Sequence, residues 1–368
     1  MAPDILPVSL PDYAARARDL LDDNARAYFE GGAADEITLG ANPRAWRDLA
    51  LLPRVLRRVE GGSTACRLLG RAMDHPILLA PVAYHRLAHP DGEIATACAA
   101  SAQGAGLILS TQSSISLEQV AAVVASDSGR GPLWFQLYLQ HDAGFNRELV
   151  RRAEAAGYEA LVLTVDAPCS GARDRERRSG FHLPPGIGAP NLAGLPPRPA
   201  GNGDRALFDT LLAGAPTWED VEHLCASTHL PVVLKGILHP DDALEAQDRG
   251  VRGIIVSNHG GRTLDTAVTT AQALPPVADA VGGELCLLVD GGIRRGTDVL
   301  KALALGADAV LIGRPQIHGL AVAGAMGVAH VIRLLRDELE IAMALCGCAT
   351  IDAIDGTVLA GADDWPAV

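Results

Sequence analysis

Short, unbroken apolar runs recur along the chain, each ending in polar or glycine residues and followed by a stretch with helical spacing. The runs occupy residues 77–80, 107–109, 133–138, 160–165, 232–234, 253–256, 286–289 and 309–312. Strands exposed on one face alternate apolar and polar positions. Continuous runs of four or so residues instead fit parallel strands covered on both faces. Between most of them lie amphipathic segments, at 91–103, 117–125, 146–156, 240–249 and 297–305, each preceded by a capping or first-turn Asp, Ser or Pro.

Eight such β-then-α units predict a closed (β/α)8 TIM barrel. A doubly wound open sheet is the alternative, but no G-x-G-x-x-G turn follows the first run. The connection after the fourth run breaks the rhythm. It spans 167–230, is rich in Pro and Gly around 182–204, and reads as a long loop or lid. Residues 1–75 read as a helical arm in which 12–29 form an amphipathic helix. No linker separates arm from barrel, so 1–368 is read as one decorated domain.

Composition narrows the class. Of 368 residues, 48% are hydrophobic and 20% charged, enough for a large core. The net charge of −13 argues against nucleic acid or an anionic membrane as partner, while leaving room for one small anion in a local basic pocket. Seven cysteines, none arranged as Cys-x-x-Cys, suggest neither a disulfide scaffold nor a zinc site, and no metal is expected. The N-terminal residues are interrupted by Asp, Pro and Arg, unlike a secretory leader. With no stretch of about 18 strongly apolar residues recognised, the expectation is a cytoplasmic protein without a membrane span.

In a barrel of this kind the working groups stand at the C-terminal strand ends. Here those ends carry Pro81, Val82 and Ala83; Ser110 and Gln112; Gln136 and Tyr138; Thr164 and Asp166, with Arg173 beyond; Lys235; Ser257 to Arg262; Asp290 to Gly292; and Gly313 with Arg314. Polarity confined to one end of apolar strands marks a site. The last two ends, with Gly291, Gly292, Arg294, Gly313 and Arg314, form a phosphate-binding pattern of bare amides and guanidinia. His259 offers a base titrating near neutrality, with Asp166 two strands away to orient it, and Arg262 offers a bidentate carboxylate contact. Lys235, an ammonium at an apolar strand end, needs an anionic partner.

Taken together, the segments 28–33 (YFEGGA), 80–93 (APVAYHRLAHPDGE), 164–168 (TVDAP), 257–265 (SNHGGRTLD) and 290–315 (beginning DGGIRRG and ending GRP) resemble the FMN-dependent L-2-hydroxy acid oxidases and dehydrogenases. The resemblance covers nearly the whole chain. It implies FMN in a TIM barrel, oxidising a lactate- or mandelate-like 2-hydroxy acid to the 2-oxo acid. It further implies His259 as general base with Asp166 as its partner, and Arg262, Tyr28 and Arg173 as contacts of the substrate. Tyr138 is implied at the hydroxyl, and Lys235 beside the flavin. Pro81, Val82, Ala83, Ser110, Gln136, Thr164 and Ser257 are implied as the flavin's lining, and Asp290, Gly291, Gly292, Arg294, Gly313 and Arg314 as the holders of its ribityl phosphate. A tetramer is the family expectation.

The chain also departs from that pattern. Many members carry Arg-Arg near Arg173 and Asp-x-x-Asn after it; here Ala172 precedes Arg173, and Glu176 and Ser179 follow. Tyr84 and Gln112 replace residues found in glycolate oxidase, so the pocket for the substrate's side chain need not suit glycolate. Ala83 matches the oxidases, where several dehydrogenases have glycine, which favours O2 as acceptor with H2O2 as product. A quinone or protein acceptor, or a lactate monooxygenase-like outcome, stands as the alternative. A phosphate-binding barrel of the inosine-monophosphate dehydrogenase kind would need a nucleophilic Cys after a strand, and none follows the sixth run. A non-catalytic barrel would be expected to have lost the catalytic set.

Overall fold

The computed structural model describes residues 6–197, 207, 212 and 215–361. The arm comprises helices α1 (Leu10–Leu20), α2 (Asp23–Glu30) and α3 (Ile37–Asp48). The single helix expected over 12–29 is therefore two. Asp22 is extended and its carboxylate accepts from the Ala25 amide at 2.7 Å, so it caps a new helix rather than continuing the old one. A feature unmarked in the sequence follows, an antiparallel hairpin of β1 (Cys66–Leu68) and β2 (Arg71–Met73).

The barrel is built from β3 (Ile77–Leu79), β4 (Gly106–Leu109), β5 (Leu133–Leu137), β6 (Ala160–Thr164), β7 (Val232–Ile237), β8 (Gly253–Val256), β9 (Cys286–Val289) and β10 (Ala309–Ile312). All pair in parallel, and β10 closes on β3. Each strand is covered on both faces, which is why the runs are continuously apolar. Leu78, Ile108, Trp134, Val162, Val233, Ile255, Leu288 and Leu311 fill the interior, while their neighbours Leu79, Leu109, Phe135 and Leu163 face the helices. Leu68 and Met73 of the hairpin pack under the interior side chains and close the lower end.

The surrounding helices are α4 (Gly92–Ala102), α5 (Leu117–Val124), α6 (Ala143–Ala155), α7 (Asp174–Ser179), α8 (Trp218–Ser227), α9 (Pro240–Asp248), α10 (Thr270–Val281), α11 (Gly296–Ala304) and α12 (Arg314–Cys346). Helix α6 begins three residues before the expected start because Asp142 caps it through the Phe145 amide. Among its described residues, the expected loop 167–230 contains two α-helices: α7, which packs on α2, and α8, which has a Thr217–Asp220 capping box. Much of the stretch read as a lid, residues 198–206, 208–211 and 213–214, lies outside the described residues.

Helix α12 corrects another expectation. It is long and apolar enough, by length and composition, to cross a membrane, and half of its most apolar window is buried within the fold. Ile317, Leu320, Val328, Val331, Leu335 and Leu339 are buried, and the helix packs on α1, α4 and α11. A kink at Ala323–Gly324 bends it around the barrel. Its apolar character serves that packing.

Candidate active site

The strand ends and the arm enclose a cavity of about 1050 Å³, including its open mouth. From the first two barrel strands, Pro81, Val82, Ala83, Ser110 and Gln112 line it. Gln136, Tyr138 and Thr164 follow, then Arg173, Lys235, His259 and Arg262. The phosphate pattern, Asp290 to Gly292 with Arg294, Gly313 and Arg314, forms one end of the cavity, and Tyr28 reaches in from the arm.

Three of the expected site residues stand elsewhere. Asp166 lies behind His259. Ser257 is fully buried, receiving a hydrogen bond from Lys235 Nζ at 2.8 Å and one from the His259 amide at 3.0 Å, so it supports the site from below. Tyr84 turns its ring against Tyr28, centroids 5.9 Å apart, instead of facing the cavity. Conversely, sequence reasoning passed over Phe29, Ile293 and Ile317, which line the cavity. An apolar side chain there carries no chemical signal, although Phe29 adjoins Tyr28 in the YFEGGA segment.

His259 sits where the backbone is forced. It has φ +56, and Gly260 and Gly261 follow at +63 and +75. At Gly261 a Cβ would meet the Leu39 amide nitrogen at 2.6 Å, so the run needs glycine where it passes the arm. His259 Nδ1 lies 2.9 Å from Asp166 Oδ1. A carboxylate only accepts, so Nδ1 carries the hydrogen and Nε2 is left with its lone pair. Burial lowers the pKa of the imidazole, and Lys235 and Arg262 add to this; Asp166 opposes but does not outweigh them. The ring is therefore neutral at pH 7. Burial disfavours the Asp166 carboxylate, yet His259 and Lys235 together hold it below its ordinary range.

Lys235 lies inside β7 rather than at its end, because the strand continues to Ile237 across an irregularity at Gly236. Gly236 has φ +115, and a Cβ there would meet Asp166 Cβ at 2.4 Å. Burial disfavours the ammonium, but Asp290, 3.2 Å away, and Asp166 raise its pKa and keep it charged. Tyr138 is pushed up by burial and by the charge of Asp166, so its phenol stays protonated and able to donate.

Arg262 and Arg173 face the cavity on one side. Arg262 Nη1 donates to the carbonyls of Tyr28 and Gly31, and its guanidinium lies 5.0 Å from the centre of the Tyr28 ring. At the phosphate end Arg314 donates to the carbonyls of Phe29, Gly31 and Gly260. Burial lowers the pKa of Arg314, and the nearby charges of Arg262 and Arg294 lower it further. Crowded buried cations of this kind suit a multiply charged anion.

A protein-family model described as FMN-dependent dehydrogenase matches residues 17–361. This chain belongs to that family. FMN is accordingly its cofactor, and the residues fit it. The Arg294–Arg314 pair suits a phosphate, and Asp290 Oδ1, buried without a partner, is an acceptor suited to a ribityl hydroxyl. Among relatives within the FMN-dependent family, an L-lactate oxidase from Nostoc sp. is 48% identical, covering 96% of this chain and 98% of its own length. A 4-hydroxymandelate oxidase from Amycolatopsis orientalis is 47% identical, covering 94% and 96%. A crystal structure of mandelate oxidase with benzoyl-formic acid superposes with a TM-score of 0.86 at 45% identity, over 96% of this chain and 98% of that one.

Proposed function

We propose that His259 is the general base in the FMN-dependent oxidation of an (S)-2-hydroxy acid of lactate or mandelate type, with O2 reoxidising the flavin to give H2O2. The observation that carries this reading is the His259–Asp166 pair, 2.9 Å apart, beside Arg262 at the wall of one cavity. Oxidising an alcohol carbon next to a carboxylate requires something to hold the acid, a proton acceptor and an electron sink.

Arg262 and Arg173 hold the carboxylate, with guanidinia suited to its planar pair of oxygens. Tyr138, protonated, donates to the substrate's hydroxyl oxygen. Neutral His259 takes up the substrate's proton at Nε2, and Asp166 stabilises the imidazolium that forms. Lys235 keeps a fixed positive charge where the cofactor becomes more negative. Bound FMN supplies the two-electron acceptor. Ala83, which lines the cavity, supports O2 as the oxidant, since the family resemblance puts alanine here in the oxidases and glycine in several dehydrogenases.

The test is a half-reaction experiment. Anaerobic addition of (S)-lactate or (S)-mandelate should bleach the yellow protein, and air should restore the colour with one H2O2 formed per 2-oxo acid. Bleaching followed by recovery only with a quinone would show a dehydrogenase. No bleaching by any 2-hydroxy acid would overturn the reading.

A further inference from the structure

We infer that Glu176 is a positioning residue for the substrate's carboxylate, acting through the two guanidinia that contact it. This rests on the proposed function above. Glu176 Oε1 accepts from Arg262 Nη2 at 3.0 Å and from Arg173 Nη1 at 3.3 Å. Both arginines line the cavity, whereas Glu176 does not. All three side chains are largely buried.

Two guanidinia brought together in a buried site repel each other, and the charge of Arg173 adds to burial in lowering the pKa of Arg262. Arg262 has little freedom to relax, and Arg173 is held through Glu176. Arg262 Nη1 is committed to the carbonyls of Tyr28 and Gly31, which leaves Nη2 as the terminal nitrogen bonded to Glu176. Among the described contacts, the Arg173 side chain makes no other hydrogen bond, and its buried Nε has no partner. One carboxylate oxygen is thus the common anchor that sets the spacing of the pair.

Glu176 is itself held in place. It lies in α7, whose following residues grip the arm. Phe181 stacks on Tyr28 with centroids 4.8 Å apart, and His182 exchanges backbone hydrogen bonds with the side chain of Asn24. The trio of two arginines and one glutamate carries a single net positive charge, which matches the one negative charge of a monocarboxylate.

The experiment measures, on the FMN-loaded protein, the Kd of pyruvate and of benzoylformate from the flavin difference spectrum. Each is compared with its uncharged amide, and steady-state kcat and KM are measured in parallel. Glu176→Gln should weaken carboxylate binding and raise KM about tenfold, the loss expected for a charged hydrogen bond. The same change should move kcat and amide binding less than about threefold, and Glu176→Asp should restore most of the loss. In an Arg173→Ala background only the Arg262 contact remains, so Glu176→Gln should add a smaller loss than it causes in the native protein. Glu176→Ala repeats the comparison should the Gln variant fail to fold. Unchanged or tighter carboxylate binding in the variants would overturn the assignment, as would equal losses for acid and amide. A native protein that binds no carboxylate would remove the proposed function as well.

Discussion

Arg262 and Arg314 both donate to the carbonyl oxygen of Gly31, each at 2.9 Å. Both guanidinia line the cavity, and they meet at the residue that caps the C-terminus of α2. A helix C-terminus leaves carbonyls without intrahelical partners, and here the cations of the site satisfy them. The arm is thereby a wall of the active site.

Arg314→Lys tests that double duty. A lysine cannot reproduce the planar fork that reaches the Phe29, Gly31 and Gly260 carbonyls. FMN affinity, measured by fluorescence titration of the apoprotein, should fall about 10- to 100-fold, as for loss of one or two charged hydrogen bonds. The melting temperature of the apoprotein should fall as well, because α2 loses its tether. Weaker FMN binding at an unchanged melting temperature would show that the carbonyl contacts do not hold the arm.

His259→Ala should retain FMN and slow anaerobic flavin reduction by about 10²- to 10⁴-fold, the usual worth of a positioned base. Stopped-flow absorbance at the flavin band reads this directly. Near-normal reduction would reassign the base.

The pH profile follows from the lowered pKa of His259. The base must be neutral, so kcat/KM should be level through pH 7 and fall only on the acid side, with a midpoint below the ordinary 6.5. The sign for stability is the same. A histidine whose pKa is depressed by folding binds its proton more readily when unfolded, so its contribution is lost as pH falls below that ordinary value. Asp166→Asn removes the main influence raising the His259 pKa. Its acid limb should move lower still, while kcat drops about 10²- to 10⁴-fold for want of a partner for the imidazolium. A limb centred above 6.5 in the native protein would contradict the burial argument.

Lys235→Met leaves Asp290 and Asp166 without the cation between them. Removing one partner of a buried pair costs about 3–5 kcal/mol, so the variant should melt well below the native protein. Its flavin should also bind sulfite more weakly, because the adduct is anionic. Sulfite affinity equal to that of the native protein would place the ammonium too far from the cofactor to matter.

What the chain discloses before folding depends on whether a feature is local. The strand runs are legible because burial on both faces leaves no polar position, and the strand-end set is legible because ionisable groups there have no other reason to cluster. Asp22 was legible in principle, since an Asp beside Leu21 can end one helix and start another, but the apolar spacing carried the expectation through it. The β1–β2 hairpin was not, because its residues acquire meaning only when Leu68 and Met73 meet side chains far away in the chain. Position after a strand suggests the cavity for Ser257, and the family resemblance suggests it for Tyr84, yet one accepts a hydrogen bond from Lys235 beneath the site and the other packs on Tyr28. Glu176 was visible only as a departure from a pattern; its two arginines come from separate parts of the fold.

The packed barrel interior and the hairpin beneath it shut the cavity off from below, so among the described residues its mouth opens between the strand-end loops and the arm. On the proposed function, acid, keto acid and oxidant share that mouth. A keto acid that lingers should therefore delay the flavin's return to its oxidised state as well as the arrival of the next substrate molecule, and the two delays should scale together as product accumulates.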